Sequence, residues 1–563
     1  MKLYTRLAFI LLILVVPLLA HAQEGGGKKK ISNSLLPDIN PQDIEIKGNF
    51  QATFPGLRRQ PILGFNPTPP VFQINPNRVP FMESPDQAVA NIPISKLESP
   101  IGPQQPKFIY PKEGNIYARL GLGSYFSPEG VAYLETPAGA NSRFVAGVNY
   151  ASTDGHLKGF SDSDRNLRFH VGWDGQIGSN DRLGVNLSGT SAFNYLPGLT
   201  QKTNYGGTGI KLGYEHVKNA YHEFDAHVKY DYFTYFLSKQ PKNNYEHVFN
   251  IGLKQSLEGP AMNSGFVGSV GLTASQYNTQ NVSGQQWYIV HPEVVYEQRF
   301  GYAQHLKIGA SFYASSDSMG SKLNIYPEVE YSFFGIKRIK IKGWLTGSVE
   351  NGGMRGYFEN RRMIVSNMVP LNNRYWEVGG SASFQLIKSL KLTGNLQYRR
   401  YSAFQYMYTT TVMPIPSVST DFHYNMGWDK GANILRLEAG LIWDAIPQKF
   451  AFKFSIYAQR PKLAHLKDIP FYEHVGLHTE FSVKPIDRLY IKGWVNYLGK
   501  RAYDLTEHKL GTAWLGGARV EFELTHQLGI YVKTTNAFDA SYRLLPTYQE
   551  MPVRFYGGII LKP

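Results

Sequence analysis

The residues whose types best suit a metal site are His474, His478 and Glu480, two imidazoles and a carboxylate close together in the chain. On a strand all three would share one face, with Val475, Leu477 and Phe481 on the other. Such donors can hold a divalent cation. Same-face neighbours on a strand stand roughly 7 Å apart, however, too far to chelate one ion without help, so the three read as polar lining. Asp162 and Asp164 could form an acid pair, but they fall in an expected loop and read as its solvated residues. No Gly-x-Ser-x-Gly nucleophile elbow and no Gly-x-x-x-x-Gly-Lys phosphate loop occurs. The 563-residue chain has no cysteine, which removes thiolate metal sites, cysteine nucleophiles, disulfides and lipidated-cysteine anchors. These residues assemble no catalytic site. The chain reads as a non-enzyme with no cofactor.

The remaining charges form a more regular set. Lys340, Lys342, Lys391, Arg436, Lys453 and Lys492, with Lys229, Lys254 and Lys307, alternate with apolar residues. Ile339-Lys340-Ile341-Lys342-Gly343-Trp344-Leu345 and Leu435-Arg436-Leu437-Glu438-Ala439-Gly440-Leu441 show the pattern. A period of two puts the apolar residues on one strand face and the charges on the other. Asp231, Glu438 and Glu480 fall on the face of the bases. A basic face could attract anionic solutes or hold an acidic partner. Opposed charges on neighbouring strands could also be plain wall structure.

The elements that would carry these residues are strands. An aromatic content of 14%, with 37 Tyr and 55 Gly but only 18% charged residues, favours a large antiparallel sheet over a helical bundle. The segments run about ten to fifteen residues, long for a globular sheet and right for a tilted membrane strand. Short connections such as Lys388-Ser389 and Thr525-His526 alternate with long ones near 353–373, 403–429, 459–471, 497–509 and 537–552. In outer-membrane barrels the short turns face the periplasm and the long loops face outside. Trp287, Tyr288, Trp376, Tyr398, Trp443 and Tyr497 lie at strand ends, where aromatic girdles are expected. The strands from Asn115 onward number about 22, an even count that suits a closed barrel. The expected fold is therefore all-β: a transmembrane antiparallel barrel over residues 114–563, surrounded by outer-membrane lipid.

Two segments precede it. Lys2 and Arg6, the apolar run Leu7–Ala20 and the end Ala20-His21-Ala22 predict a signal peptide over residues 1–22. Export sets nucleic acid aside as a partner, despite a net charge of +15. Residues 23–113 form a basic, proline-rich arm, with 15 of the 33 prolines between Ile31 and Glu113. Proline fixes the backbone and lacks an amide donor, so this arm is neither helix nor central strand. Its spaced apolar residues, Phe54, Phe65, Phe72 and Phe81 among them, suit packing against a wall or a partner. Asp43–Lys47 alternates and could add to a sheet edge.

The C-terminal segments resemble those of TonB-dependent receptors. Asn536-Ala537-Phe538-Asp539-Ala540-Ser541-Tyr542 is similar to that family's Asn-Leu-Phe-Asp-x-x-Tyr, through Asn536, Phe538, Asp539 and Tyr542. Pro552–Ile559 resembles its last strand, Pro-Gly-Arg-x-Phe-x-x-Gly, with Arg554 and Gly558 carrying the likeness. The specific match is confined to these segments; the architectural one extends over the barrel. Phe54-Pro55-Gly56-Leu57-Arg58-Arg59 in the arm resembles receptor-like outer-membrane proteins of the Bacteroidota. The resemblance implies an outer-membrane transporter whose lumen holds an N-terminal plug. The arm shows no plug pattern and no convincing TonB box, and the chain ends Leu561-Lys562-Pro563 instead of on the family's terminal aromatic. The leading expectation is a plug-less barrel working in a complex with an outer-membrane or periplasmic protein. A solute channel, passive or TonB-coupled through a partner, is the alternative. An adhesin or structural barrel acting through its loops is the third.

Overall fold

The computed structural model describes residues 114–562, apart from 156–162, 196–202, 220–221, 238–243, 260–262, 280–282, 302, 337, 361–368, 410–423, 466, 547 and 550. The expected signal peptide, the arm and its Asp43–Lys47 piece lie outside the described residues.

The alternating segments are strands. The first group is β1 (Asn115–Gly123), β2 (Ser127–Pro137), β3 (Ser142–Thr153), β4 (Ser163–Gln176), β5 (Asp181–Tyr195), β6 (Thr203–Asn219) and β7 (His222–Leu237). Next come β8 (Asn244–Glu258), β9 (Ser264–Asn278), β10 (Gln285–Phe300), β11 (Gln304–Asp317), β12 (Gly320–Ile336) and β13 (Ile339–Glu350). A short helix, α1 (Gly353–Asn360), precedes β14 (Asn373–Ile387), β15 (Leu390–Thr409), β16 (Tyr424–Asp429), β17 (Asn433–Ile446) and β18 (Phe450–Lys462). The chain continues through β19 (Val475–Ile486), β20 (Leu489–Leu498), β21 (Arg501–Ala502), β22 (Lys509–Leu510), β23 (Ala513–Glu523), β24 (Leu528–Thr535), β25 (Arg543–Leu545), β26 (Tyr548–Gln549) and β27 (Arg554–Leu561).

Twenty-two of these strands form one antiparallel ring, in which each pairs with the next and β27 returns to β1. β16 pairs only with the outer part of β15, and β21–β22 and β25–β26 are small loop hairpins. The closing register runs from Ala118↔Leu561 to Gly123↔Tyr556. Closure leaves no open sheet edge, which is what a bilayer demands of strands. The outer face is apolar and bare: Leu323 is 71% exposed, Val532 59% and Leu437 57%. Such a belt requires lipid, not water. Trp376–Tyr398 and Tyr497–Trp514 form outward aromatic pairs near one rim, and Trp443–Phe450 near the other. Strands spaced about 4.8 Å apart and tilted about 40° make a 22-membered ring roughly 40 Å across. Wall side chains cannot fill that width.

The wall is uneven. β1, β2, β24 and β27 at the closure have 9, 11, 8 and 8 residues. β6, β12 and β15 across the ring have 17, 17 and 20. Long connections gather at one end, after β13, β15, β18, β20 and β24. Two expectations change here. The two ends of the loop expected over 403–429 are strands, since Phe404–Thr409 pair with Tyr424–Asp429 and prolong β15 past the ring. Trp287 is not a girdle residue: it is buried at 2% exposure and points inward. Its indole N–H has found a buried acid, which outweighs an interfacial position.

Candidate functional site

The site is the loop-bearing mouth of the barrel, where the described parts of the connection after β13, residues 351–360 and 369–372, fold inward as a roof. Beneath them the tall strands present an inward aromatic layer. Phe233, Tyr235, Tyr277, Trp287, Tyr313 and Tyr326 are all buried there, and Met354 of α1 seats on them with no exposure. Met407 from the β15 hairpin joins the same cluster. Burying one such side chain contributes about 1.5–3 kcal/mol. Aromatic residues appear at this height because the long strands rise beyond the belt, and their inner face meets folded chain there instead of water.

One acid organises the seat. Glu246 on β8 is fully buried. Its Oε1 accepts the Ser275 hydroxyl of β9 at 2.9 Å and the Trp287 indole N–H of β10 at 3.0 Å. Its Oε2 accepts the Met354 backbone N–H at 2.6 Å. A carboxylate here meets the first amides of α1, which have no partner inside the helix. The chain enters α1 through Gly353, whose φ is +57° and whose N–H donates to Asn351 Oδ1 at 2.9 Å. A Cβ on Gly353 would stand 2.7 Å from Glu246 Oε2. Both the left-handed backbone and the close acid therefore call for glycine.

Further polar ties fix the roof's flanks. Arg355 donates to Asp231 of β7 at 3.0 Å, and Asp231 also pairs with Lys229 at 2.7 Å. Asn351 Nδ2 donates to Asn372 Oδ1 at 2.9 Å, joining the two ends of the loop. Asn372 N–H donates to Asp317 at 2.8 Å, and Arg374 lies 3.5 Å from the same carboxylate. Gln405 accepts from Leu371 N–H at 3.1 Å and donates to Val369 O at 2.7 Å. Beside the roof, Asp468 in the loop after β18 accepts from Lys462 at 2.6 Å and His474 at 3.0 Å. Burial alone would raise its carboxyl, but these two hydrogen bonds outweigh burial and hold it below its ordinary value.

Below the roof the inner wall borders a cavity of about 910 Å³. Lys340, Lys342 and Lys391 line it, and so do Lys254 and Lys307. Glu293, Glu297, Glu328, Glu330 and Glu438 stand among them, so five lysines face five acids. Lys342 pairs with Glu330 at 2.8 Å, Arg436 with Glu438 at 2.9 Å and Lys492 with Glu480 at 2.6 Å. Lys340 lies 5.8 Å from the Phe334 ring centre. Lys391 and Lys453 have no ion-pair partner among the described residues. The wall beside this cavity is thus balanced in charge, not uniformly basic.

The imidazole group does not converge. His474 lies outside β19 and turns to Asp468, while His478 takes Asn496 at 2.5 Å. Among the described residues no three His, Asp or Glu are placed to hold a metal ion. The C-terminal segment has a structural arrangement of its own. Asn536 Nδ2 donates to the carbonyls of Ala540 and Met551, each at 3.0 Å, and Asp539 accepts from Val553 N–H at 3.0 Å. These bonds form the bend that returns the chain into β27. Phe538 stays 56% exposed on the outside, Gly558 faces Tyr531 across the β24–β27 pair, and Tyr542 lies in the loop before β25.

Sequence reasoning passed over Glu246 and Gly353 and placed Trp287 in the girdle. Parity alone could have put Glu246 and Trp287 on the inner face. Asn351-Gly352-Gly353, directly after a strand, marks a sharp inward turn.

No protein-family model and no curated protein sequence matches the chain. Its fold has solved relatives. The siderophore receptor PirA of Acinetobacter baumannii superposes with a TM-score of 0.62 at 10% identity, over 81% of each chain. The ferric enterobactin receptor PfeA of Pseudomonas aeruginosa gives 0.61 at 10%, covering 81% of this chain and 82% of that one. The ferric-catecholate import receptor Fiu of E. coli, in its closed form, gives 0.59 at 11% over the same shares. At this identity the likeness shows the fold alone: a closed 22-strand barrel of the kind these receptors use.

Proposed function

We propose that this chain is an integral outer-membrane barrel, similar to TonB-dependent receptors, that admits a solute through a lumen closed on its outer side by the roof. The seating of α1 carries this reading. The roof hangs on hydrogen bonds to one buried carboxylate and two flanking ion-paired sites. Among the described residues these ties are localised, and such a state is one a ligand can exchange for another. A barrel acting only through its surface loops would need neither a lumen this wide nor an inward loop tethered within it. The long connections face outside and the short turns face the periplasm, in keeping with an export signal at the start of the chain. The siderophores of the neighbouring receptors do not transfer at about 10% identity.

A component of an outer-membrane complex is the second reading. It draws on the cavity under the roof, where Lys254, Lys340 and Lys391 lack ion-pair partners among the described residues. A partner segment that sets acids opposite these three lysines, and not opposite the acids between them, would complete that wall. Mass spectrometry of the barrel purified in mild detergent from its own membrane tests this, and a barrel recovered alone removes it.

The channel reading is tested by single-channel conductance in planar bilayers. The full chain should stay closed. A variant with residues 354–371 replaced by a short Gly-Ser link should conduct steadily. Equal conductance of the two overturns the gated-lumen reading.

A further inference from the structure

A second recess lies on the inner wall at the barrel closure, on the short side and apart from the tethers of α1. It measures about 460 Å³, and Glu129, Asn149, Asn166, Arg168, Thr535 and Arg554 contribute to it. They come from β2, β3 and β4 on one side of β1 and from β27 and β24 on the other. The register sets Arg168 opposite Asn149 and Thr535 opposite Arg554.

The acids of this recess are already engaged. Glu129 accepts the Tyr531 hydroxyl at 2.7 Å, pairs with Lys533 and lies 3.9 Å from Arg119. Asp164 also has a partner. The guanidiniums are not engaged. Arg168 and Arg554 make no ion pair among the described residues. Arg554 stands 5.7 Å from the Tyr556 ring centre, and its Nε is closed off from solvent without a hydrogen-bond partner. The hydroxyl of Thr535, directly across the strand pair, is buried and unpartnered too. Both atoms lie within the wall, while the Arg554 and Arg168 side chains border the hollow.

We infer that this recess binds an oxyanion, the carboxylate or phosphate group of a small solute. Arg168 and Arg554 supply the charge. Guanidinium groups match the planar edge of such anions. The contrast with the larger cavity supports the choice, since there every lysine is matched by an acid in number. The inference rests on the channel reading and gives it a substrate class: the solute that passes beside the roof is anionic.

Isothermal titration of the full-length barrel in nonionic detergent tests this, with citrate and inorganic pyrophosphate as probes. Saturable binding of at least one is expected. Arg168→Gln and Arg554→Gln should each weaken it about tenfold, as charge-assisted hydrogen bonds do, and the double variant should abolish it. Lys211→Gln, elsewhere on the inner face, should leave it unchanged. Retained heat-shifted mobility on gels certifies that each variant is folded. No binding by the parent up to about 10 mM, or equal binding by the double variant, overturns the inference. Binding in detergent does not require the roof to open. A barrel that binds but never conducts therefore sinks only the channel reading, and one that conducts but binds neither probe sinks only this inference.

Discussion

Replacing Glu246 by alanine should release the roof. Three donors lose their acceptor: the Ser275 hydroxyl, the Trp287 indole and the Met354 amide. Each buried donor left without a partner costs about 1–3 kcal/mol, part of which a water entering the vacated space recovers. Opening frees the Met354 amide to water but exposes the Met354 side chain, at about 1.5–3 kcal/mol. The exposure cost is the same in parent and variant. The shift therefore comes from the lost acceptors, about 3 kcal/mol in favour of the open roof, or a hundredfold in open fraction at about 1.4 kcal/mol per decade. Glu246→Gln should act less strongly. Its amide oxygen still serves Ser275 and Trp287, while its NH₂ meets the Met354 N–H, donor against donor, for a gain of about tenfold. The chain has no cysteine, so Met354→Cys places a single thiol where the parent side chain has no exposure. Maleimide labelling of that thiol in membranes reads the open fraction. The rates should rise from Glu246 to Gln to Ala. If all three label alike in folded barrels, Glu246 is not what holds the roof, and the reasoning fails.

Three further outcomes follow from the same geometry. Gly353→Ala forces a left-handed residue with a Cβ 2.7 Å from Glu246, a strain of about 1–2 kcal/mol; the labelling rate should rise about tenfold, and an unchanged rate would contradict the entry turn. In the roof-deleted barrel, Lys340→Glu with Lys391→Glu converts a wall of five lysines and five acids into three against seven. The reversal potential in a KCl gradient should then move toward cation preference, and no movement would remove these residues from the path. The Asp468 carboxyl is held below its ordinary value, so its bonds to Lys462 and His474 stabilise the loop above the unfolded-state pKa and fail as pH falls through the lower folded one. Below about pH 4, hydrogen exchange over residues 463–474 should approach that of Asp468→Asn, whereas at pH 7 the parent should exchange more slowly.

The barrel was legible because membrane strands repeat one rule. In Leu435–Leu441 the lipid face and the inner face can be read residue by residue, and the ring closes with the expected 22 strands. The same rule misplaced Trp287, since a tryptophan near a strand end signals an interface only when nothing inside requires its N–H. It also treated residues 403–429 as a loop. The two ends of that stretch, Phe404–Thr409 and Tyr424–Asp429, extend β15 beyond the ring because loops 463–474 and 499–512 give them neighbours: Thr409 donates to Tyr503 O at 2.9 Å, and Phe404 and Tyr406 pack with Leu463 and Ile469. These contacts are between loops remote in sequence, and no local period records them. The roof was hidden for the same reason. Glu246 and Met354 are 108 residues apart, and only closure of the ring brings them together.

The uneven wall connects these observations. Where the strands are tall, their upper inner face is aromatic and supports the roof. Where they are short, at β1, β2, β24 and β27, the inner face is polar, and Arg554 of β27 makes no ion pair among the described residues. Tyr205 belongs to both regions, as one edge of the aromatic cluster and one wall of the recess. A solute bound at the seam would therefore border the layer on which α1 rests. Binding at the recess and release of the roof share a physical boundary, and coupling between them is measurable: a bound anion should alter the labelling rate at position 354, and the Arg168→Gln, Arg554→Gln double variant should abolish that change while leaving the basal rate alone.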